Sequence, residues 1–265
     1  MKNMKIVKSF DVLGNIAIVR FPKDFNLKEK KKFAEGVLKE QKSIKTILEK
    51  KERIKGRLRK LSTSWIAGEK TKEVLYREND CVFRFNIDKT YFSPRLSNER
   101  KEIASKIKKN DLVLVMFAGV APFSIAIAKK SKARKIFSNE INREANKYAK
   151  LNIELNKVKN KIEMIPGDIK RIAGKLKDKF DVIVMPRPQL KDDFLKEAFI
   201  LSKTGKRGTR IYYYDFCNAD EIDSVVEKIK SKAKQSKKKI KILQVKRAGE
   251  IAPYRVRLRV DFKII

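Results

Sequence analysis

The sequence predicts a doubly wound α/β domain preceded by a small α+β domain. From about Leu96 onward, short apolar runs alternate with helix-like stretches of about ten to fifteen residues, the rhythm of a mainly parallel sheet with crossover helices. From Phe10 to about Asn86 that rhythm is absent, and short segments alternate with turn signals instead. A chain of 265 residues is long enough for one large core and a smaller one. The boundary is drawn between 1–90 and 91–265.

In the first domain, Leu13-Gly14-Asn15 marks a turn ahead of a strand at 16–19, which Pro22 ends. The spacing of Phe33, Val37, Ile44, Ile47 and Leu48 predicts a helix over 27–50. Residues 72–77 and 81–87, separated by Glu78-Asn79-Asp80, read as two strands. In the second domain strands are predicted at 112–117, 135–138, 162–165, 182–185, 210–214, 240–245 and 256–262. The last two are close enough in sequence to form an antiparallel pair closing one edge. The Lys-rich run 228–241 reads as an exposed helix end and loop.

Lys and Arg number 67 against 32 acids, a net charge of +35. A solvated Lys-rich surface is the plain explanation. Glu, however, would rise with Lys if solubility or ion-pair networks alone were at stake. A charge this large repels itself unless a polyanion offsets it, which points to nucleic acid without separating RNA from DNA. Cys81 and Cys217 both sit in apolar runs and read as buried thiols, too few for a disulfide framework or a zinc cage. The chain contains no histidine, which excludes Ser-His-Asp and Cys-His catalysis and imidazole metal sites. Chemistry must then rest on carboxylates, Arg, Lys, Tyr or a cofactor. No apolar run approaches the ~20 residues of a membrane helix, and the first residues hold no signal-peptide core. A soluble, cytoplasmic protein is expected.

Five segments carry the chemistry. After the run at 112–117, Ala118-Gly119-Val120-Ala121-Pro122 forms a small-residue turn that lets a ligand approach the backbone, with Pro122 suited to the first turn of a helix. The turn lacks the full G-x-G-x-x-G, which argues against a pyrophosphate and suits a nucleoside without phosphates. Glu140 ends the next strand, about 20 residues later, where an acid accepts hydrogen bonds from ribose hydroxyls. Asp168, in Pro166-Gly167-Asp168-Ile169, follows the third strand and can meet an adenine edge; a solvated turn aspartate is the alternative. In Met185-Pro186-Arg187-Pro188, the two prolines hold an extended segment that could wall a flat base or serve as a plain linker. Upstream, 91–100 pairs Tyr91 and Phe92 with Arg95, a combination that stacks on bases and contacts phosphate. In the same block Ser97 is a candidate cap for a helix carrying Arg100, and Glu99 is either a functional carboxylate or a solvated acid paired with a Lys.

Taken together these segments resemble the archaeal and eukaryotic family of tRNA guanine-37 N1-methyltransferases. The likeness runs from Asp11-Val12-Leu13-Gly14-Asn15-Ile16-Ala17 through Arg57-Leu58-Arg59, the 91–100 block and 117–124 to Gly167-Asp168. It implies a Rossmann-like methyltransferase domain, S-adenosylmethionine as cofactor and the tRNA anticodon loop as partner, acted on by a monomer with neither metal nor membrane. It places Ser93, Arg100, Phe117, Gly119, Glu140, Asp168 and Ile169 at the cofactor, and Tyr91, Arg95, Asn142, Pro186 and Pro188 toward the substrate. Glu99 takes the role of general base on the guanine N1 proton, and Arg59 that of stabilising charge on O6. Val115 stands where the family commonly has an acid, and Ala121 where it has a second glycine. Pro186-Arg187-Pro188 replaces the usual Asn-Leu-Pro, like the archaeal subgroup that also methylates C7 of 4-demethylwyosine. An aminocarboxypropyltransferase of the wyosine pathway and a non-catalytic RNA-binding relic of the fold remain as alternatives. A DNA amino-methyltransferase fits less well, because no Asn or Asp precedes a Pro-Pro in that loop.

Overall fold

The computed structural model describes residues 7, 9–51, 61–186, 192–205 and 207–265. The chain divides into two compact units, 1–94 and 95–265.

The first unit contains β1 (Phe10–Leu13), β2 (Ile16–Val19), α1 (Leu27–Glu40), β3 (Thr46–Lys50), β4 (Thr63–Gly68), β5 (Glu73–Glu78) and β6 (Cys81–Asn86). The first four strands form a sheet in the order β1-β2-β3-β4, and β5 with β6 forms a separate hairpin. Helix α1 starts at a capping box, in which Asn26 Oδ1 accepts from the Glu29 amide and the Glu29 carboxylate accepts from the Asn26 amide. Its Ala34 and Val37 pack with Ala17, Val19, Ile47 and Ile66. The helix expected over 27–50 is corrected here, because it stops at Glu40 and Thr46–Lys50 is a strand. β3 lies between β2 and β4, and residues 46–49 are all buried, so the strand lacks the alternation that marks a half-exposed one. Its apolar residues happen to continue the helical spacing.

Two turns shape this unit. Asn79 and Asp80, both left-handed with φ of 48° and 59°, form the tight β5–β6 connection. Gly14, at φ 59°, makes the β1–β2 turn, where an added Cβ would lie 2.0 Å from the Leu75 carbonyl oxygen. Beside it Asn15 Oδ1 accepts from the Leu75 amide at 2.9 Å. The Gly14-Asn15 turn therefore staples the sheet to the hairpin.

The second unit runs α2 (Ser97–Lys106), β7 (Leu112–Val115), α3 (Pro122–Lys130), β8 (Lys135–Glu140), α4 (Arg143–Leu155), β9 (Ile162–Pro166), α5 (Ile169–Ile172), β10 (Val182–Met185), α6 (Leu195–Ile200), β11 (Arg210–Asn218), α7 (Ile222–Gln235), β12 (Ile240–Ala252) and β13 (Arg255–Ile264). Its seven strands are ordered β12-β13-β11-β10-β7-β8-β9. Strands β7 to β11 pair in parallel, and β13 runs antiparallel to both β11 and β12. The doubly wound α/β reading holds, including the antiparallel pair at one edge. Central β7 and β10 are buried at every position, as strands covered on both faces must be. On one face Leu114, Ile183, Ile211 and Tyr213 pack with Leu195, Phe199, Val225 and Ile229 from α6 and α7. Strand order reverses between β7 and β10, so a crevice opens at their carboxyl ends. Helix α2 begins without a side-chain cap; Leu96 holds the cap position and Ser97 is already helical, which corrects the capping role expected of Ser97. Among the described residues no helix is long and apolar enough to cross a membrane.

Candidate functional site

The turn after β7 is built under backbone strain. Phe117, Gly119 and Ala121 have left-handed φ values of 58°, 58° and 67°. Glycine adopts this conformation freely, whereas each of the other two costs roughly 1–2 kcal/mol. Surrounding bonds hold the shape. The Met116 amide donates to Val184 O at 2.9 Å and the Ala118 amide to Asn139 O at 2.8 Å. Asn152 of α4 donates to Val120 O at 3.1 Å. Pro122 occupies the first turn of α3, as expected. The half-buried Phe117 ring meets buried Phe194 edge-on at 4.8 Å.

Glu140 closes this turn from the neighbouring strand. Its Oε2 accepts from the Gly119 amide at 2.8 Å and its Oε1 from the Asn142 amide at 2.7 Å. Desolvation raises the Glu140 carboxyl above its ordinary value, opposed by the backbone donors of Asn142, Gly119 and Ile141. The third loop is pinned to the same place. The Gly167 amide donates to Glu140 O at 2.8 Å, and buried Asn139 donates to Ile165 O at 2.8 Å and Gly167 O at 3.0 Å. Asp168 then caps α5, accepting from the Lys170 amide at 3.1 Å, and Ile169 is buried in the core. Asn142 caps α4 by accepting from the Glu144 amide at 3.0 Å. Three strand-end loops thus meet at one residue, the first two on the Glu140 carboxylate and the third on its main-chain carbonyl.

A second cluster lies against α3. Tyr214 sits one residue past the partner of Met185, at the level where β10 ends. Its ring is 6.0 Å from that of Phe123, the second residue of α3, and the buried Arg100 guanidinium lies 5.8 Å from the same Phe123 ring. Glu99, 5% exposed, accepts at Oε2 from Tyr214 Oη at 2.8 Å and from Arg259 Nη1 at 2.6 Å. Lys246 Nζ approaches Glu99 Oε1 at 3.1 Å. Arg259, fully buried, also donates to Glu102 Oε1 at 2.6 Å and Asp261 Oδ1 at 2.7 Å. Lys246 bonds Glu102 as well, and Lys106 reaches Asp261 Oδ2 at 3.0 Å. Glu99, Glu102 and Asp261 are matched by Arg259, Lys246 and Lys106, so the cluster is neutral. The Arg259 guanidinium holds the Glu102 carboxyl well below the usual range despite partial burial. Burial first, then the Glu99 charge, pushes the Tyr214 phenol well up, so it stays a donor.

The residues expected from sequence are therefore distributed as follows. Phe117, Gly119, Glu140, Asn142, Asp168 and Ile169 come together at the carboxyl ends of β7, β8 and β9, and Pro186 directly follows β10. Glu99 and Arg100 lie on the first turn of α2, with Arg95 exposed just before it. Tyr91, half-buried, and Ser93, buried, belong to the first unit. Arg59 and Pro188 lie outside the described residues. Sequence reasoning missed Asn139, Phe194, Tyr214 and Arg259. The available signal was a polar residue inside an apolar strand, as in KIFSNE and RVRLRVDF. Both cysteines are buried thiols outside any disulfide, and no metal-holding cluster occurs among the described residues.

Comparison with known proteins identifies both parts of the chain. Residues 74–243 match the TRM5/TYW2 methyltransferase domain, and residues 2–71 match the TYW2 N-terminal domain. The chain is 34% identical to the tRNA (guanine(37)-N(1))-methyltransferase Trm5b of Pyrococcus abyssi, across 97% of this chain and 74% of that protein. It is 32% identical to the tRNA (guanine(37)-N(1))/4-demethylwyosine(37)-methyltransferase Taw22 of Nanoarchaeum equitans, across 97% of this chain and the whole of that one. The structure of Methanocaldococcus jannaschii Trm5 in complex with adenosine superposes with a TM-score of 0.80 at 31% identity, covering 98% of this chain and 75% of that one.

Proposed function

The chain belongs to the TRM5/TYW2 methyltransferase family, and from that membership we propose that it methylates N1 of the guanine at position 37 of tRNA. The observation that carries the reading is the convergence of three strand-end loops on Glu140, beside a turn that admits a ligand to the Gly119 backbone. S-adenosylmethionine fits this crevice. One glycine in place of three suits a nucleoside lacking phosphates, and the Glu140 carboxylate, with about four acceptor sites and backbone donors at Asn142, Gly119 and Ile141, keeps one for a ribose hydroxyl. When bound, the cofactor supplies a methyl group made electrophilic by its sulfonium.

This chain's own residues supply binding and proton handling. Glu140 would hold the ribose, and Asp168, Ile169 and Phe117 would hold the rest of the nucleoside. Ser93 and Arg100 complete the cofactor set. Guanine N1 carries a proton and is a poor nucleophile until it is lost, so Glu99 acts as general base. Arg59 stabilises the negative charge that moves toward O6. Tyr91, Arg95, Asn142, Pro186 and Pro188 are assigned to the target base. The first 90 residues position the RNA, and the net charge of +35 draws in the polyanion. The protein works as a monomer in the cytoplasm.

A second activity, methylation of C7 on 4-demethylwyosine, is favoured by the match over the whole length of the bifunctional Nanoarchaeum equitans enzyme. Pro186-Arg187-Pro188 supports it further.

The test uses methyl-labelled S-adenosylmethionine with tRNA transcripts carrying either guanine or adenine at position 37. Label recovered as 1-methylguanosine only from the guanine transcript is the expected result. No label there would sink the reading. Transfer of label from the aminocarboxypropyl carbons instead would assign the chain to the other wyosine-pathway reaction. Labelling of a 4-demethylwyosine tRNA decides the second activity.

A further inference from the structure

We propose that Tyr214 and Arg259 are positioning residues that clamp Glu99 by Oε2, leaving Oε1 to meet the guanine N1 proton; this rests on the reading of Glu99 as the base. A glutamate's terminal torsion is broad, and a carboxylate free to turn presents its acceptor lone pairs in many directions. Here two donors from two strands, Tyr214 Oη on β11 at 2.8 Å and Arg259 Nη1 on β13 at 2.6 Å, converge on one oxygen. Both donors are buried to about 1% exposure or less, so neither swings away. The other oxygen has, among the described residues, only the Lys246 ammonium at 3.1 Å. Lys246 is the most exposed member of the cluster and keeps Glu102 as a second anchor. It can therefore yield Oε1 to a substrate without losing its own partner.

The cost of the arrangement argues for a use. Burying an arginine among three acids carries desolvation that apolar packing of the same volume would avoid. The placement also fits. Tyr214 stands where β10 ends and packs on Phe123, immediately after the cofactor turn.

The experiment measures methyl transfer by the full chain to a guanine-37 transcript, comparing wild type, Tyr214→Phe, Glu99→Gln and the double variant. Tyr214→Phe removes one hydroxyl and keeps the ring on Phe123. It should lower kcat about 10-fold, the scale of one hydrogen bond to a charged group, with KM for tRNA and for cofactor held within about 2-fold. In the Glu99→Gln background the same change should add no further loss, because its effect passes through the carboxylate. Arg259→Lys, which cannot span all three acids, should split kcat from KM the same way; if it does not fold, Tyr214→Phe decides alone. Wild-type kcat in Tyr214→Phe with a slow Glu99→Gln would overturn the clamp and leave the base intact, as would a loss in the double variant equal to the product of the two singles. Wild-type rates in Glu99→Gln would remove the base itself, and the clamp with it.

Discussion

The Gly119 amide donates to Glu140 Oε2 at 2.8 Å, tying the strained turn after β7 to the end of β8. The carboxylate that braces the turn is also the one we assign to the ribose. On that assignment, turn geometry and ligand affinity are coupled at one side chain.

Glu140→Ala removes the acceptor of the Gly119 and Asn142 amides, and with it the acceptor proposed for the ribose. Binding of S-adenosylhomocysteine should weaken by about 10–100-fold, the range for hydrogen bonds to a charged group. Glu140→Gln keeps one acceptor oxygen and should lose less. Calorimetric titration at neutral pH measures both. Equal, wild-type affinities would mean that Glu140 serves the turn and nothing else.

Asn139 is 1% exposed and bonds the carbonyls of both Ile165 and Gly167. Asn139→Ala leaves those carbonyls without their donor and should cost about 1–3 kcal/mol in urea unfolding. The loss should be local first: amide exchange at Gly167, Asp168 and Ile169 should speed up before the rest of the unit responds. Unchanged exchange there would show that the third loop is held by other means.

Much of the second unit was legible in the sequence because its physics is local. Apolar runs such as VIVM at 182–185 name buried parallel strands, and Glu140 announced itself by ending one. The four residues at Thr46–Glu49 were misread because a fully buried strand has no periodicity of its own. Arg259 was illegible for a different reason. Its partners Glu99 and Glu102 lie 160 and 157 positions away, so only the folded chain shows that the three share one cluster. Gly14 was half legible: the turn could be read, but the approach of Leu75 from a strand about sixty residues later could not.

That approach makes Gly14 a sharp test of the first unit. Gly14→Ala must accept a left-handed φ, worth roughly 1–2 kcal/mol, and must also move the Leu75 carbonyl, which a Cβ would meet at 2.0 Å. The two effects together should exceed about 2 kcal/mol and lower Tm. The neighbouring Asn15–Leu75 bond should weaken with them, seen as faster exchange of the Leu75 amide. A Tm within error of wild type would mean the β1–β2 turn can shift without cost.

The acid limb of stability should report on Glu102. Its carboxyl is held well below the ordinary range by Arg259, with Lys246 and Lys106 adding to the effect. A group depressed on folding contributes stability that is present above its unfolded value of about 4.3 and lost as pH falls toward the folded one. Glu140 runs the other way: its value is raised on folding, so what it contributes is greatest in acid and declines as pH rises. Unfolding free energy should therefore fall as pH drops from about 5, with Glu102 contributing part of the slope. Glu102→Gln should be less stable than wild type at pH 7, since Arg259 loses a charged partner, and the gap should close on acidification. Urea unfolding of both proteins across pH 3 to 7 measures it. Parallel curves at every pH would show that ionisation of Glu102 adds nothing to the pH dependence of stability.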